Sequence, residues 1–166
     1  RRPENLTTGT DFRMNAMSSK TTTFNQAAAY ADHPVWRNSA LAAGTSQSVT
    51  GIVGFEADEM LPTQSNAVVL ASETYNIDDN RADNNGETYT NDGTLNWGVV
   101  AQRYPSGAVV VGFGTVQWSW GLDTMHDATN SSSGVNLSMQ QMTYNLLRDL
   151  GAAPVSPHTG ITTSAP

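Results

Sequence analysis

The chain has no cysteine. Disulfides, thiolate nucleophiles and cysteine-based metal sites are therefore excluded outright. Lysine is almost as scarce: Lys20 is the single lysine among eight basic residues, set against fifteen acidic ones, for a formal net charge of −7. No basic patch exists to attract a polyanion, so neither nucleic acid nor an anionic membrane surface is expected as a partner. Long apolar stretches are missing too. No segment approaches the ~20 apolar residues that a membrane-spanning helix needs, and Arg1-Arg2-Pro3-Glu4-Asn5 is not followed by the apolar core of a signal peptide. There are only three histidines, and no serine sits in a nucleophile-elbow context.

What is present suits one packed domain. A chain of 166 residues with 38% hydrophobic content and four tryptophans can bury a single core. Its heavy load of threonine, serine, asparagine and glycine implies long loops, and together with the scarcity of lysine it leans towards an extracellular or cell-surface bacterial protein. Residues 1–154 are read as the domain and the Pro/Ser/Thr-rich stretch 155–166 as a tail, either an ordered strap or a linker.

The most informative segment runs from Gly107 to Asp123: the apolar Ala108-Val109-Val110-Val111, then Gly112 and Gly114, then Trp118-Ser119-Trp120. An apolar run without polar alternation reads as a strand covered on both faces, the usual state of a parallel strand in an α/β domain. The two glycines leave room for another backbone or a ligand. Other strands are expected at 8–15, 49–55, 66–72 and 97–104. The last is closed by Pro105-Ser106-Gly107, with the apolar run following at hairpin distance. Residues 76–94 read as a long surface loop, rich in Asp, Asn and Gly. One helix is expected over 138–150. Ser138 and Gln141 are placed as a capping box, Leu137 and Met142 as a hydrophobic staple, and Met139, Met142, Leu146 and Leu150 as one apolar face ended by Gly151 and Pro154.

In order, the segments RPENLTTGTDF (2–12), DHPVWRN (32–38), GIVGFEADE (51–59), AVVLAS (67–72), SGAVVVGFGTVQWSWGLD (106–123) with His126-Asp127, and MQQMTYNLLRDLG (139–151) resemble the C-terminal part of the N,N-dimethylformamidase large-subunit family. The likeness is to the members found in large secreted bacterial multidomain proteins, and it extends to about residue 154. It implies an α/β fold: the later portion of a flavodoxin-like, glutamine-amidotransferase-like layered sheet, strand-rich here with one clear C-terminal helix. It also implies iron held by two tyrosines and a glutamate, but in segments that would precede the RPEN opening, so iron enters only with upstream ligands.

Three groups of residues could carry chemistry. Glu56, Asp58 and Glu59 follow a strand directly, where carboxylates can act as acid, base or metal ligand; the structural reading is a solvated strand end, or an ion pair for which Arg37 and Arg103 are candidates. Asp123, His126 and Asp127 have the donor types for a divalent ion beside Trp118 and Trp120, or form a hydrogen-bonded loop. The tryptophans could stack on a sugar or serve core or interface. Asp78, Asp79, Asp83 and Glu87 offer hard oxygen ligands for calcium, without EF-hand spacing.

Three functions follow as expectations. The first is a non-catalytic structural or interaction module of a larger extracellular protein. The second is part of an amide C–N hydrolase whose metal ligands lie upstream, and the third a carbohydrate-binding module. The apolar strands need more cover than one helix supplies, so an upstream segment of the same protein, or another polypeptide, is expected against the sheet face opposite the helix.

Overall fold

A computed structural model of the chain describes residues 4–15, 20–26, 30–42, 44–77, 80–83, 86–90, 93–125 and 135–163. A short helix, α1 (Glu4–Thr8), opens the fold, with the Thr8 hydroxyl donating back to the Glu4 carbonyl at 2.8 Å. Gly9 ends it at φ +76°, and a Cβ there would lie 2.8 Å from Val100 Cγ1, so both the backbone and the packing demand glycine.

β1 (Thr10–Asn15) pairs with β4 (Glu56–Met60) and, through Met14 opposite Arg81, with β6 (Arg81–Asp83), which pairs with β7 (Thr88–Thr90). β2 (Lys20–Phe24) and β3 (Gln47–Val53) form a two-stranded sheet. β5 (Val68–Ile77), β8 (Gly93–Arg103) and β9 (Val109–Gly112) form a three-stranded sheet in that order. Among the described residues all these pairings are antiparallel. The chain is thus mixed α/β and mostly sheet, and the parallel pairing expected of the apolar run is replaced by a hairpin.

The reason is local. Tyr104 to Gly107 make a tight turn in which the Gly107 amide reaches the Tyr104 carbonyl at 2.8 Å and Gly107 takes φ +88°. The three valines that follow must therefore return beside β8. They are half-buried on an edge strand, one face towards α1 and β1, the other towards the C-terminal helix, so the face opposite the helix, where an added polypeptide is expected from the sequence, is covered instead by the chain's own α1, β1 and β4. Both glycines admit backbone: a Cβ on Gly112 would meet the Thr8 carbonyl at 2.7 Å, and one on Gly114, at φ +63°, the Gly98 carbonyl at 2.8 Å.

Part of the expected surface loop is sheet, since β6 and β7 lie within 76–94. The helix, α2 (Leu137–Asp149), starts earlier than its sequence signature implies. Its N-cap is Asn136, whose Oδ1 accepts from the Met139 amide at 3.0 Å. Ser138 and Gln141 are buried instead, and Leu137, already inside the helix and 52% exposed, staples nothing. The C-terminus matches expectation. Gly151 sits at φ +79° with its amide on the Arg148 carbonyl, and the Ala152 amide reaches Leu147, the paired bonds of a Schellman motif.

The core centres on Phe24, ringed by Trp36, Trp97 and Trp118 at centroid distances of 6.1, 6.4 and 5.9 Å. Met139 and Met142 of α2 are fully buried against it. The stretch 155–163 is a strap along α2: the Thr162 amide donates to Gln141 Oε1 at 2.8 Å and Gln141 Nε2 returns a bond to the Thr162 carbonyl at 3.1 Å. Among the described residues no helix is long and apolar enough to cross a membrane.

Candidate functional site

The carboxylates of the GFEADE segment lie on β4, a strand rather than a strand end, and the strand separates them. Glu56 is exposed, while Asp58 is half-buried and accepts from the Thr10 hydroxyl at 2.8 Å. Burial pushes the Asp58 carboxyl above its ordinary range and the Asp11 and Glu56 charges add to this, against the Thr10 bond, which favours the ionised form. Glu59 accepts from Arg13 Nε at 2.9 Å, and Arg13 also lies 3.5 Å from Asp83. The arginine that serves this row is therefore Arg13. Arg37 makes a two-pronged pair with Asp149 at 2.7 and 2.8 Å, and Arg103 makes no hydrogen bond or ion pair among the described residues.

Of the second cluster, His126 and Asp127 lie outside the described residues, and Asp123 is exposed with its Oδ1 accepting from the Met125 amide at 2.7 Å. Trp118 is a core residue: its ring lies 4.5 Å from Phe113, and its Nε1 donates to the Thr143 hydroxyl at 3.1 Å. No face of it is free for a sugar. Trp120, half-buried, meets Phe55 edge-on at 5.9 Å. Asp78 and Asp79 lie outside the described residues, Asp83 is taken up by Arg13 and Arg81, and Glu87 is exposed. Among the described residues no three His, Asp or Glu side chains converge on one point. Two of the five tyrosines are engaged in the fold. Burial holds the Tyr75 phenol protonated, and the Tyr104 hydroxyl donates to the Leu6 and Thr7 carbonyls.

A concave feature lies elsewhere. A half-open groove of about 460 Å³ runs between the three-stranded sheet and the C-terminal half of α2, within the size range of ligand-binding clefts. Its floor is Val68 and Leu70 of β5, Ala101 of β8, and Val109 and Val111 of β9; its wall is Leu146 and Leu150 of α2. Alternation along each strand explains the composition, because Val109 stands opposite Arg103 and Val111 opposite Ala101, all four on one face.

The wall is held in place by polar bonds behind it. Asn145, buried, donates through Nδ2 to the Val35 and Arg37 carbonyls, both at 2.8 Å, and its Oδ1 accepts from Gln141 at 3.0 Å. The turn it grips, Pro34–Trp36, is capped by His33, whose Nδ1 accepts from the Val35 amide at 3.2 Å. The neutral ring then keeps its proton on Nε2. Burial lowers the His33 pKa, with the Asp149 charge opposing. His33, Asn66, Arg103 and Asp149 supply the groove's polar rim.

Sequence reading did not single out this groove. Its signals were present but separate: an apolar run without polar alternation, and Arg103 as one of few cations. A second unforeseen feature is Phe55, at φ +49° and 37% exposed. A bulky residue in the left-handed region is strained, and here it leans on Trp120.

Residues 1–132 match the family described as N,N-dimethylformamidase beta subunit-like, C-terminal. The chain belongs to that family. The match is to a beta subunit-like family, and it ends before α2. No curated protein and no solved structure matches the chain.

Proposed function

We propose that this domain is a non-catalytic interaction module of a dimethylformamidase-like protein, and that it docks another polypeptide, in the first instance its own upstream segment, in the groove between β5-β8-β9 and α2. The observation that carries the reading is the contrast in satisfaction. Asp58 and Glu59 on β4 already have partners within the chain, whereas the groove presents an apolar floor and, among the described residues, an edge strand without an outer neighbour and an arginine without a partner. Surfaces of that kind are normally covered in a working protein. The family's description as beta subunit-like and C-terminal is in keeping with a part that works within a larger assembly. Composition supports placing that assembly outside the cell. Under this reading amide C–N chemistry belongs to the polypeptide that fills the groove.

The test compares residues 1–166 with a longer protein that carries the preceding segment. The isolated chain is expected to bind an apolar-surface dye and to self-associate in light scattering, and the longer protein to do neither. A photo-crosslinker at Val109 is expected to capture the added segment. A monodisperse, dye-silent isolated chain would remove the reading, as would hydrolysis of N,N-dimethylformamide by residues 1–166 alone.

A further inference from the structure

The backbone of β9 decides what kind of polypeptide the groove takes. The Tyr104 amide donates to the Ala108 carbonyl at 2.9 Å, so Tyr104 and Ala108 are a hydrogen-bonded pair at the mouth of the hairpin. In an antiparallel ladder such pairs alternate with non-bonded ones. With Gln102 opposite Val110 and Val100 opposite Gly112, the bonded pairs that follow use Val110 and Gly112. The N–H and C=O groups of Val109 and Val111 consequently point away from β8, and among the described residues nothing pairs with them. Strand order puts β9 at the margin of its sheet. It therefore offers two donors and two acceptors at the lip of an apolar groove.

The side chains specify more. Across the sheet the row Val68, Ala101, Val111 is wholly apolar, and its continuation on a further strand would be the residue opposite Val111. The neighbouring row holds Arg103 and Val109, and its continuation is the residue opposite Val109. That position lies two strand spacings from Arg103, about 9.6 Å, a gap that an extended arginine and an extended glutamate span together. Asp149, the acidic residue of the rim, is already neutralised by Arg37, so Arg103 is the charge that a ligand meets. In a chain of net charge −7, an arginine that has no partner among the described residues, beside an apolar groove, selects for an acidic group.

We propose that β9 is a receptor strand: an extended polypeptide segment adds to its open edge, with an apolar side chain opposite Val111 and a glutamate, two residues away, opposite Val109 and paired with Arg103. This is strand addition, in which main-chain bonds give affinity and alternate side chains give selectivity. It rests on the docking reading above and narrows it to one mode and one partner chemistry.

The probe is a blocked pentapeptide, Glu-Thr-Val-Thr-Glu, which offers valine and glutamate two apart in either chain direction, titrated into the isotope-labelled 166-residue chain with amide shifts as readout. Saturable shifts are expected at Val109 and Val111. Exchanging both glutamates for lysine should weaken binding at least about tenfold, and Arg103→Glu should reverse the preference, each reporting one charge pair. Val111→Pro removes an outward-facing donor without touching the bonds to β8, and should weaken binding by about as much. If that variant fails to fold, N-methylation of the peptide's valine and threonines interrogates the same bonds with the protein unchanged. Absence of saturable binding at millimolar peptide would overturn the proposal, as would equal binding of the glutamate and lysine peptides, or indifference to both Val111→Pro and N-methylation. The self-association expected of the isolated chain should be displaced by the peptide; concentration-dependent shifts at the same amides that the peptide cannot displace would assign the edge to a second copy of the chain and also overturn it. A segment crosslinked to Val109 whose affinity ignores Arg103→Glu and Val111→Pro would leave the docking reading standing and sink strand addition alone.

Discussion

The β4 carboxylate row and the α2 groove are opposites in how far their groups are satisfied within the chain. On β4 the charges look like chemistry in sequence, yet Glu59 is spent on Arg13 and Asp58 on the Thr10 hydroxyl. In the groove the residues look like plain core in sequence, yet among the described residues nothing pairs with the outward backbone groups of Val109 and Val111 or with the Arg103 side chain. Partnering, more than residue type, separates a structural cluster from a surface awaiting a ligand. Substitutions on β4 should therefore change stability, whereas those on the open side of the groove should change binding.

The largest expected effect breaks the support that the two regions share. Met60 of β4 lies directly over Gly98 of β8: a Cβ there would fall 2.1 Å from Met60 Sδ and 2.7 Å from the Ala71 carbonyl. Gly98→Val should cost about 3 kcal/mol or more in denaturant unfolding, since the backbone on one side cannot yield. Next comes the polar anchor behind the groove wall. Asn145→Leu leaves the Val35 and Arg37 carbonyls without their donor and should cost about 2 kcal/mol, read by the same unfolding curves; an unchanged midpoint would mean that α2 is held by its apolar face alone.

A smaller loss is expected on β4. Glu59→Gln weakens a half-buried pair with Arg13 and should cost about 1 kcal/mol, diminishing with salt. The smallest effect is that of Asp58→Asn, and it carries a sign. A folded pKa raised above 3.8 means that the folded chain holds the proton more tightly than the unfolded one. The stabilisation from this group is complete below pH 3.8 and is lost as pH rises through the folded value. The variant should then match or slightly exceed the parent in stability at neutral pH and lose that advantage in acid. A constant difference across that range would show that Asp58 is not the group responsible.

Much of the fold was legible in the residues. β1, β3, the hairpin after Tyr104 and α2 follow from period, turn chemistry and caps. What escaped has physical causes. β2, Lys-Thr-Thr-Thr-Phe, is polar in all but its last residue, and only Phe24 betrays its buried face. β4 was hidden because its one buried side chain, Ala57, is small and flanked by carboxylates. The valine run gave two conflicting signals, since its lack of polar alternation suits a parallel strand covered on both faces while its turn spacing suits an antiparallel return, and the turn decided. The N-cap lay at Asn136 rather than Ser138 because both residue types can cap, and the competing side chain was buried. The groove was illegible because it depends on residues from β5, β8, β9 and α2 that meet only in the folded chain.

Hydrogen exchange at two amides tests the central claim most directly. In the 166-residue chain, the Val109 and Val111 amides should exchange as an open edge, far faster than those of Val110 and Gly112, which bond to β8. In the longer dimethylformamidase-like protein that carries the preceding segment, the two amides should become protected together while exchange on β4 stays unchanged. Protection that appears on β4 around Glu56 and Asp58, with Val109 and Val111 still exchanging freely, would contradict the account and return the functional surface to the carboxylates.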